Sequence, residues 1–282
     1  MNIAIASGKG GTGKTTIATN LAMLLSETGE KVRYLDCDVE EPNGHLFLKP
    51  TIHHRIAATI PVPVIDESKC TACGECVRFC EYRALVRLGK KVMVFPELCH
   101  GCGGCARLCA QRAISEHTKE IGVVERGTSG AIDFVHGRLN VGEAMSPPLI
   151  RKVLAQATAN AINIIDAPPG SSCPVIASIR HADFIVLVTE PTPFGLNDLG
   201  LALDMIGELH ILHGVIVNRA EPGNTDAEAF CERRHVRVIA HLPDDRRVAE
   251  VYSRGEMVLN AVPGMRDRVS DLWLSIRSQV GS

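Results

Sequence analysis

The chain has 282 residues, of which 45% are hydrophobic and 4% aromatic, and its formal net charge is −2 at pH 7. This length allows one large α/β domain or two smaller ones, and the charge gives no support to nucleic-acid binding. No apolar run reaches the roughly 18–20 residues of a membrane-spanning helix, and the first residues lack the basic region of a signal peptide. We therefore expect a cytoplasmic protein without membrane association, whose 11 cysteines are metal ligands or catalytic groups rather than disulfides.

Apolar periodicity predicts that the chain opens with a strand at 2–7, a helix at 14–28 and a second strand at 31–38. A segment of different texture follows. Beyond it, strands are predicted at 120–127 and 130–139, and then a helix at 147–159. The alternation resumes with strands at 160–170, 183–195, 213–219 and 236–243, and with helices that end near 210, at 235 and at 280.

Strands that alternate with helices predict an α/β fold, with a mostly parallel sheet and helices on both faces. Ligands of such sheets bind at the carboxyl ends of the strands. Residues 62–114 interrupt the alternation with cysteines, glycines and short β stretches. We therefore expect one α/β domain formed by residues 1–61 and 115–282, with residues 62–114 inserted as a second domain.

The turn after the first strand reads SGKGGTGKTT and fits the phosphate-binding pattern G-x-x-x-x-G-K-[ST] through Gly8, Gly13, Lys14 and Thr15. The backbone N–H groups of such a loop surround the phosphates, the lysine neutralises them, and the hydroxyl of Thr15 is offered to Mg²⁺. The same glycines also fit the dinucleotide pattern G-x-G-x-x-G, with Asp36 or Asp38 as the ribose-binding acid. We favour the first interpretation, because a dinucleotide loop has no use for a Lys-Thr-Thr sequence.

The second lysine of this loop, Lys9, makes the loop resemble the deviant Walker A motif of the MinD/ParA/Mrp/nitrogenase-iron-protein class of P-loop ATPases. The resemblance implies that Lys9 reaches the nucleotide of a partner subunit, so that the protein would form an ATP-dependent homodimer, or a heterodimer with a similar ATPase. It also implies catalytic roles for Lys9, Lys14, Asp38 and Asp166, with Mg²⁺ held by Thr15 and Asp166. The nucleotide-binding residues implied by the resemblance are Gly8, Lys9, Gly10, Gly11, Thr12, Gly13, Lys14, Thr15, Thr16, Gly170, Asn218 and Pro243.

The insertion carries the pattern C-x2-C-x2-C-x3-C twice, the second copy 29 positions after the first. This pattern resembles that of bacterial-type ferredoxins with two [4Fe–4S] clusters, in which the fourth cysteine of each run binds the other cluster. The resemblance implies a ferredoxin-like α+β domain that holds one cluster on Cys70, Cys73, Cys76 and Cys109, and the other on Cys99, Cys102, Cys105 and Cys80. Zinc is the alternative, although zinc ribbons use paired cysteines and leave the third cysteine of each run unexplained.

One departure from the ferredoxin pattern concerns the residue after each fourth cysteine, where Glu81 and Ala110 replace the usual proline. No ligand is lost by this change. Among the remaining cysteines, Cys37 and Cys231 are predicted to be core residues, because free cysteine is among the most buried residue types. Cys173 is expected either to pack at the start of a helix or to act at an interface as a metal ligand or redox thiol.

Together the two resemblances imply an ATPase that couples its nucleotide state to iron–sulfur clusters. ATP hydrolysis would gate electron transfer, or metallocluster assembly, on a redox or metallocluster partner protein that the sequence leaves unidentified. The alternative is a positioning or partition switch of the MinD/ParA kind whose clusters sense redox state or are structural. An amphipathic stripe of Val269, Leu272, Trp273 and Ile276 bears on this alternative, and we expect it to pack in the core rather than to bind a membrane.

Overall fold

Strands and helices alternate along the computed structural model, which describes residues 1–281. The strands, in chain order, are β1 (Asn2–Ala6), β2 (Val32–Asp36), β3 (Thr51–Ile65), β4 (Leu85–Leu88), β5 (Lys91–Val94), β6 (Ile114–Ser129), β7 (Ile132–Leu139), β8 (Ile162–Asp166), β9 (Phe184–Thr189), β10 (His213–Ala220) and β11 (Val238–Pro243). The α-helices are α1 (Lys14–Glu27), α2 (Gly44–Leu48), α3 (Glu75–Phe79), α4 (Gly104–Leu108), α5 (Pro147–Leu154), α6 (Cys173–Ile179), α7 (Pro193–Gly207), α8 (Asp226–Arg233), α9 (Arg246–Ser253), α10 (Val258–Ala261) and α11 (Met265–Val280).

Within these residues the main sheet has nine strands in the order β11-β10-β9-β1-β8-β2-β7-β6-β3. The strands from β11 to β7 run parallel to their neighbours, whereas β6 and β3 are antiparallel and extend one edge. The short central strands are mostly apolar and almost fully buried, as expected of strands covered on both faces. The predicted α/β fold with a mostly parallel sheet is therefore confirmed.

Two apolar cores lie on opposite faces of the sheet. Helices α1, α10 and α11 contribute to the first, and α5, α6, α7 and α8 contribute to the second. Val269, Leu272 and Ile276 of α11 are buried in the first core, with Trp273 packed against it, so the predicted core role of this stripe is confirmed. Cys37 and Cys231 are also buried in a core, as predicted. No helix among residues 1–281 has the length and hydropathy required to cross a membrane.

The region around the insertion differs most from the sequence-based expectation. Strand β3 and helix α2 were not predicted, and β6 is longer than the expected strand at 120–127. These two long strands pair from Thr51–Thr128 to Ile65–Ile114 and form a stem, with the cysteine-rich residues 66–113 at its far end. The predicted domain boundaries near 62 and 114 therefore fall inside or at the end of strands. Helix α5 is shorter than predicted, and α9 and α10 were missed.

We predict that Phe134→Ala lowers the free energy of unfolding by about 3–5 kcal/mol, because it opens a cavity in the first core. The Phe134 ring is fully buried and stacks on Tyr34 with ring centroids 5.7 Å apart. Guanidinium denaturation under anaerobic conditions measures the change. The fully exposed Val141 supplies the control, since Val141→Ala should change the value by no more than about 0.5 kcal/mol. Equal effects of the two substitutions would contradict the assigned core.

Candidate nucleotide site and cysteine-lined cavities

The loop between β1 and α1 depends on glycine at two positions. Gly13 has a φ of 96°, in the left-handed region, and a Cβ there would lie 2.6 Å from the Nδ2 atom of Asn218. A Cβ at Gly8 would lie 2.2 Å from the carbonyl oxygen of Asp198. Asn218 also donates a hydrogen bond of 2.8 Å from Nδ2 to the Thr12 carbonyl. The loop is thus held against β10 and α7, and the helix α1 begins directly behind it.

A cavity of about 460 Å³ lies beside this loop, within the size range of small-molecule sites. Many residues with a predicted nucleotide-binding or catalytic role line it, namely Gly10, Gly11, Gly13, Lys14, Thr15, Thr16, Asp38, Asn218 and Pro243. Apolar side chains also line it, among them Val248, Tyr252, Val258, Met265 and Val269. A cavity lined by a glycine-rich loop, a lysine and apolar side chains suits a phosphate chain that carries a base.

The remaining predicted residues are not among those that line this cavity. Gly170 has a φ of 103° and donates its backbone N–H to the Ser7 carbonyl at 3.0 Å. Asp166 is buried beneath the loop. Lys9 points to Glu190, with its Nζ atom 3.0 Å from Oε2. Gly8 and Thr12 contribute to the packing of the loop described above.

Three aspartates create a strongly negative region below the cavity. Asp36 and Asp166 are directly paired residues of β2 and β8, and both are buried. Burial and the charge of Asp166 hold the pKa of Asp36 well above its usual range. Burial likewise raises the pKa of Asp38, to about 6, with a further contribution from Asp166 and an opposing one from Lys14. Such raised values show that the region favours an added cation or proton.

Asp36 and Asp166 differ in how their oxygens are satisfied. Asp36 accepts backbone hydrogen bonds from Gly44 at 3.0 Å and from Asp38 at 3.2 Å, which fits a structural role. Asp166 accepts a 2.8 Å hydrogen bond from the Tyr34 hydroxyl at Oδ2, whereas its buried Oδ1 has no hydrogen-bond partner among residues 1–281. Burial raises the pKa of Asp166, and the hydroxyls of Thr15 and Tyr34 oppose this effect. A buried carboxylate oxygen beside a threonine hydroxyl fits the ligand preference of Mg²⁺.

Lys14 is the cation that faces these acids. Its side chain is largely buried, and burial lowers its pKa, whereas the negative charges of Asp166 and Asp38 act in the opposite direction. The lysine therefore lies between the acidic region and the loop, where an anionic ligand would meet its ammonium group.

The insertion contains two further cavities, each lined by four cysteines. Cys70, Cys73, Cys76 and Cys109 line a cavity of about 210 Å³. Cys80, Cys99, Cys102 and Cys105 line one of about 240 Å³. These are the two sets that the ferredoxin resemblance implies, and each contains one cysteine from the other half of the repeat. All eight thiols are free of disulfides.

The four cysteines of each set line the wall of a cavity. Among residues 1–281, no group of three or more His, Cys, Asp or Glu side chains is arranged to hold a single metal ion. Backbone N–H groups also approach the sulfurs, with Gly101 donating to Cys99 at 3.4 Å and Ala113 donating to Cys109 at 3.3 Å. Cavities lined by four thiols, some of whose sulfurs accept backbone hydrogen bonds, fit the clusters that the ferredoxin resemblance implies.

Three residues near the nucleotide cavity were missed by the sequence analysis: Tyr34, Glu190 and Arg219. Strand alternation places Tyr34 on the same face as Asp36, but only the pairing of β2 with β8 brings its hydroxyl to Asp166. Arg219 lines the cavity, and its Nη1 atom lies 2.5 Å from Oε1 of Glu190. No local pattern marks these contacts, because they join residues distant in the chain.

The fold and the loop geometry define a P-loop nucleotide-binding protein of the MinD/ParA type. The family described as the CobQ/CobB/MinD/ParA nucleotide binding domain matches residues 3–258, and the chain belongs to this family. An uncharacterized protein of Methanocaldococcus jannaschii is 30% identical over 268 residues, which cover 92% of this chain and 91% of that protein.

More distant relatives have more informative names. The iron-sulfur cluster carrier protein of Aquifex aeolicus is 25% identical over 295 residues, which cover 97% of this chain and 65% of the carrier. Among solved structures, the cell division ATPase MinD of Pyrococcus furiosus has a TM-score of 0.61 at 19% identity and covers 98% of both chains. MinD of Pyrococcus horikoshii, solved with Mg-ADP, has a TM-score of 0.60 at 19% identity and covers 99% of this chain and 97% of that one. These structures share the fold.

We predict that Tyr34→Phe weakens Mg²⁺-dependent binding of an ATP analogue by about tenfold or more. The substitution removes the hydrogen bond that stabilises the ionised form of Asp166, and such a bond to a charged group contributes about 1.5 kcal/mol or more. A titration with Mg²⁺ at fixed analogue concentration, followed by calorimetry, measures the loss. Tyr82→Phe in the insertion is the matched control and should leave the affinity unchanged. An unchanged affinity in Tyr34→Phe would exclude Asp166 from the cation site.

Proposed function

We propose that this protein is a Mg²⁺-dependent ATPase that acts as a dimer, carries two [4Fe–4S] clusters, and uses ATP to gate electron transfer to, or metallocluster assembly on, a partner protein. The observation that carries the proposal is the pair of cysteine-lined cavities joined to a nucleotide site by one continuous stem. Membership of the CobQ/CobB/MinD/ParA family supports the nucleotide part. The similarity to an iron-sulfur cluster carrier protein supports the iron part only distantly.

The donor set of the insertion fits iron–sulfur clusters. Thiolates are the ligands that hold [4Fe–4S] groups, and each cavity offers four of them. Leu85, Val92 and Ala72 form a buried apolar cluster against which several of the cysteines pack, whereas Cys73 and Cys102 are exposed. A bound cluster would supply a one-electron redox centre, whose potential depends on this burial and on the N–H groups donated to sulfur.

The nucleotide site has the residues needed for phosphoryl transfer to water. Such reactions need mainly positioning and stabilisation of negative charge. Lys14 would neutralise the phosphates, Thr15 and Asp166 would hold Mg²⁺, and Asp38 would orient the attacking water. The cation would supply charge neutralisation at the phosphate oxygens. Asn218 and Pro243 line the cavity and would contact the base in this proposal.

The stem offers a route for coupling between the two sites. The chain enters the stem at Thr51, and the helix α2 just before it is tied to Asp36 through the Gly44 N–H group. Phe47 of α2 packs against Tyr252 with ring centroids 4.8 Å apart, and Tyr252 also lines the nucleotide cavity. Movement of this wall on nucleotide binding would therefore act directly on the base of the strand that leads to the clusters.

A positioning or partition switch is the second candidate, favoured by the fold shared with MinD. In this candidate the clusters would sense redox state or would be structural. The burial of Val269, Leu272 and Ile276 in the core leaves this apolar stripe of α11 engaged, which weakens the case for α11 as a membrane anchor. Cluster signals that respond to nucleotide would favour the first candidate over this one.

Anaerobic purification followed by EPR tests the proposal. We expect about eight iron and eight acid-labile sulfide atoms per chain, and reduced-cluster signals whose shape or midpoint potential changes with a non-hydrolysable ATP analogue. Cys102→Ser should remove or alter one cluster. Cys173→Ser is the control, because Cys173 is exposed and lies outside both cavities. Bound zinc without iron would contradict the cluster assignment, and signals indifferent to nucleotide would contradict the coupling.

The pH dependence of hydrolysis tests Asp38. Its pKa is about 6, so the Asp38 carboxyl is ionised above this pH and protonated below it. Only the ionised form can orient the attacking water, so activity should fall as the pH drops below this value. We expect kcat/KM to fall about tenfold per pH unit below pH ~6, since this parameter reports the free enzyme. Asp38→Asn should give a low rate without this limb, and Asp204→Asn, at an exposed site, should keep it. A wild-type profile that is flat through this range would contradict the role.

A further inference from the structure

The lysine that distinguishes this loop is engaged by a residue of its own chain. The Nζ atom of Lys9 lies 3.0 Å from Oε2 of Glu190, whose side chain is only 8% exposed. The other oxygen, Oε1, is 2.5 Å from Nη1 of Arg219. Both oxygens of this carboxylate are therefore paired with cations, and both cations belong to the edge of the nucleotide site.

Glu190 is firmly placed. It follows β9, the neighbour of β1, so its backbone lies beside the phosphate loop. Its carbonyl accepts the Thr192 N–H at 2.8 Å and lies where a Cβ on Gly195 would meet it at 2.5 Å. Because the turn around it is packed this tightly, the carboxylate remains in position while the longer and more exposed Lys9 side chain can move.

Arg219 makes the departure of Lys9 physically feasible. Removing one partner from a buried ion pair normally leaves an uncompensated charge, which is strongly unfavourable. Here Arg219 would continue to neutralise Glu190, and its Nη2 atom also donates to the Gly11 carbonyl at 3.4 Å. The carboxylate can thus exchange one of its two cations without becoming an isolated buried charge.

We propose that Glu190 is a positioning residue that holds Lys9 on its own protomer until the nucleotide of a partner subunit displaces it. This inference rests on the proposed function, in which Lys9 acts in trans. The cis ion pair lowers the fraction of protomers competent to dimerise, and the apparent affinity of the dimer falls by the same fraction. Glu190 therefore sets how much nucleotide-loaded protein is needed before two subunits associate.

Glu190→Gln is the direct test, because it keeps the shape and removes the charge. With a non-hydrolysable ATP analogue and Mg²⁺, sedimentation should show a dimer dissociation constant lowered by about fivefold for each lysine released. Glu190→Asp, which keeps the charge but shortens the reach, should change the constant in the same direction and serves if the glutamine variant does not fold. Glu208→Gln, at an exposed site near the end of α7, should leave dimerisation unchanged.

The effect of Glu190→Gln on dimerisation should also depend on the presence of Lys9. Lys9→Ala should weaken the dimer, and Lys9→Ala combined with Glu190→Gln should behave as Lys9→Ala alone. A wild-type protein that dimerises through Lys9 while Glu190→Gln leaves its affinity unchanged or weaker would overturn the role of Glu190 alone. A wild-type protein that stays monomeric with the analogue would instead overturn the proposed dimer, and this inference with it.

Discussion

The charge balance of the nucleotide site depends on two buried carboxylates that lie side by side. Asp36 and Asp166 end adjacent parallel strands and are directly paired in register. Burial raises the pKa of both carboxylates, and the charge of Asp166 raises that of Asp36 further, so each needs its own compensation. For Asp36 the compensation comes from backbone N–H groups, whereas for Asp166 it comes from Tyr34, Thr15 and Lys14. The carboxylate left with an unpartnered oxygen is the one beside the phosphate loop, where a divalent cation can complete the balance.

The same compensation ties the insertion to the site. The N–H group that Asp36 accepts from Gly44 belongs to the first turn of α2, and α2 leads into the long strand β3. Because β3 and β6 add to the edge of the main sheet, the stem is an extension of the sheet and not a flexible linker. In the proposed function, a change in the acidic region would be transmitted along this paired ribbon to the cysteine-lined cavities.

Lys9 and Lys14 show how one loop uses two lysines differently. Lys14 is buried between the acids and the cavity, so it can act only on a ligand of its own protomer. Lys9 is partly exposed and is held by a carboxylate that has a second cation. One lysine is thus part of the site, whereas the other is placed where a second molecule can reach it. The two lysines differ because the acids near Lys14 lie at or just after the ends of β2 and β8, whereas Glu190, which pairs with Lys9, follows β9.

Local patterns in the sequence determined the central elements of the fold, the phosphate loop and the cysteine repeat. Each of these features is encoded by residues close together in the chain. The central strands need a run of buried apolar residues, the phosphate loop needs glycine at positive φ, and the cluster sites need closely spaced thiols. The tertiary structure decided what joins these parts. The edge strand β3 lacks a clean apolar alternation because most of its first half is exposed, so only its pairing with β6 identifies it. Tyr34, Glu190 and Arg219 acquire their roles from strand order, which places residues more than 25 positions apart in hydrogen-bond contact. Sequence spacing predicts which groups can share a turn, but only the register of the sheet decides which charges meet.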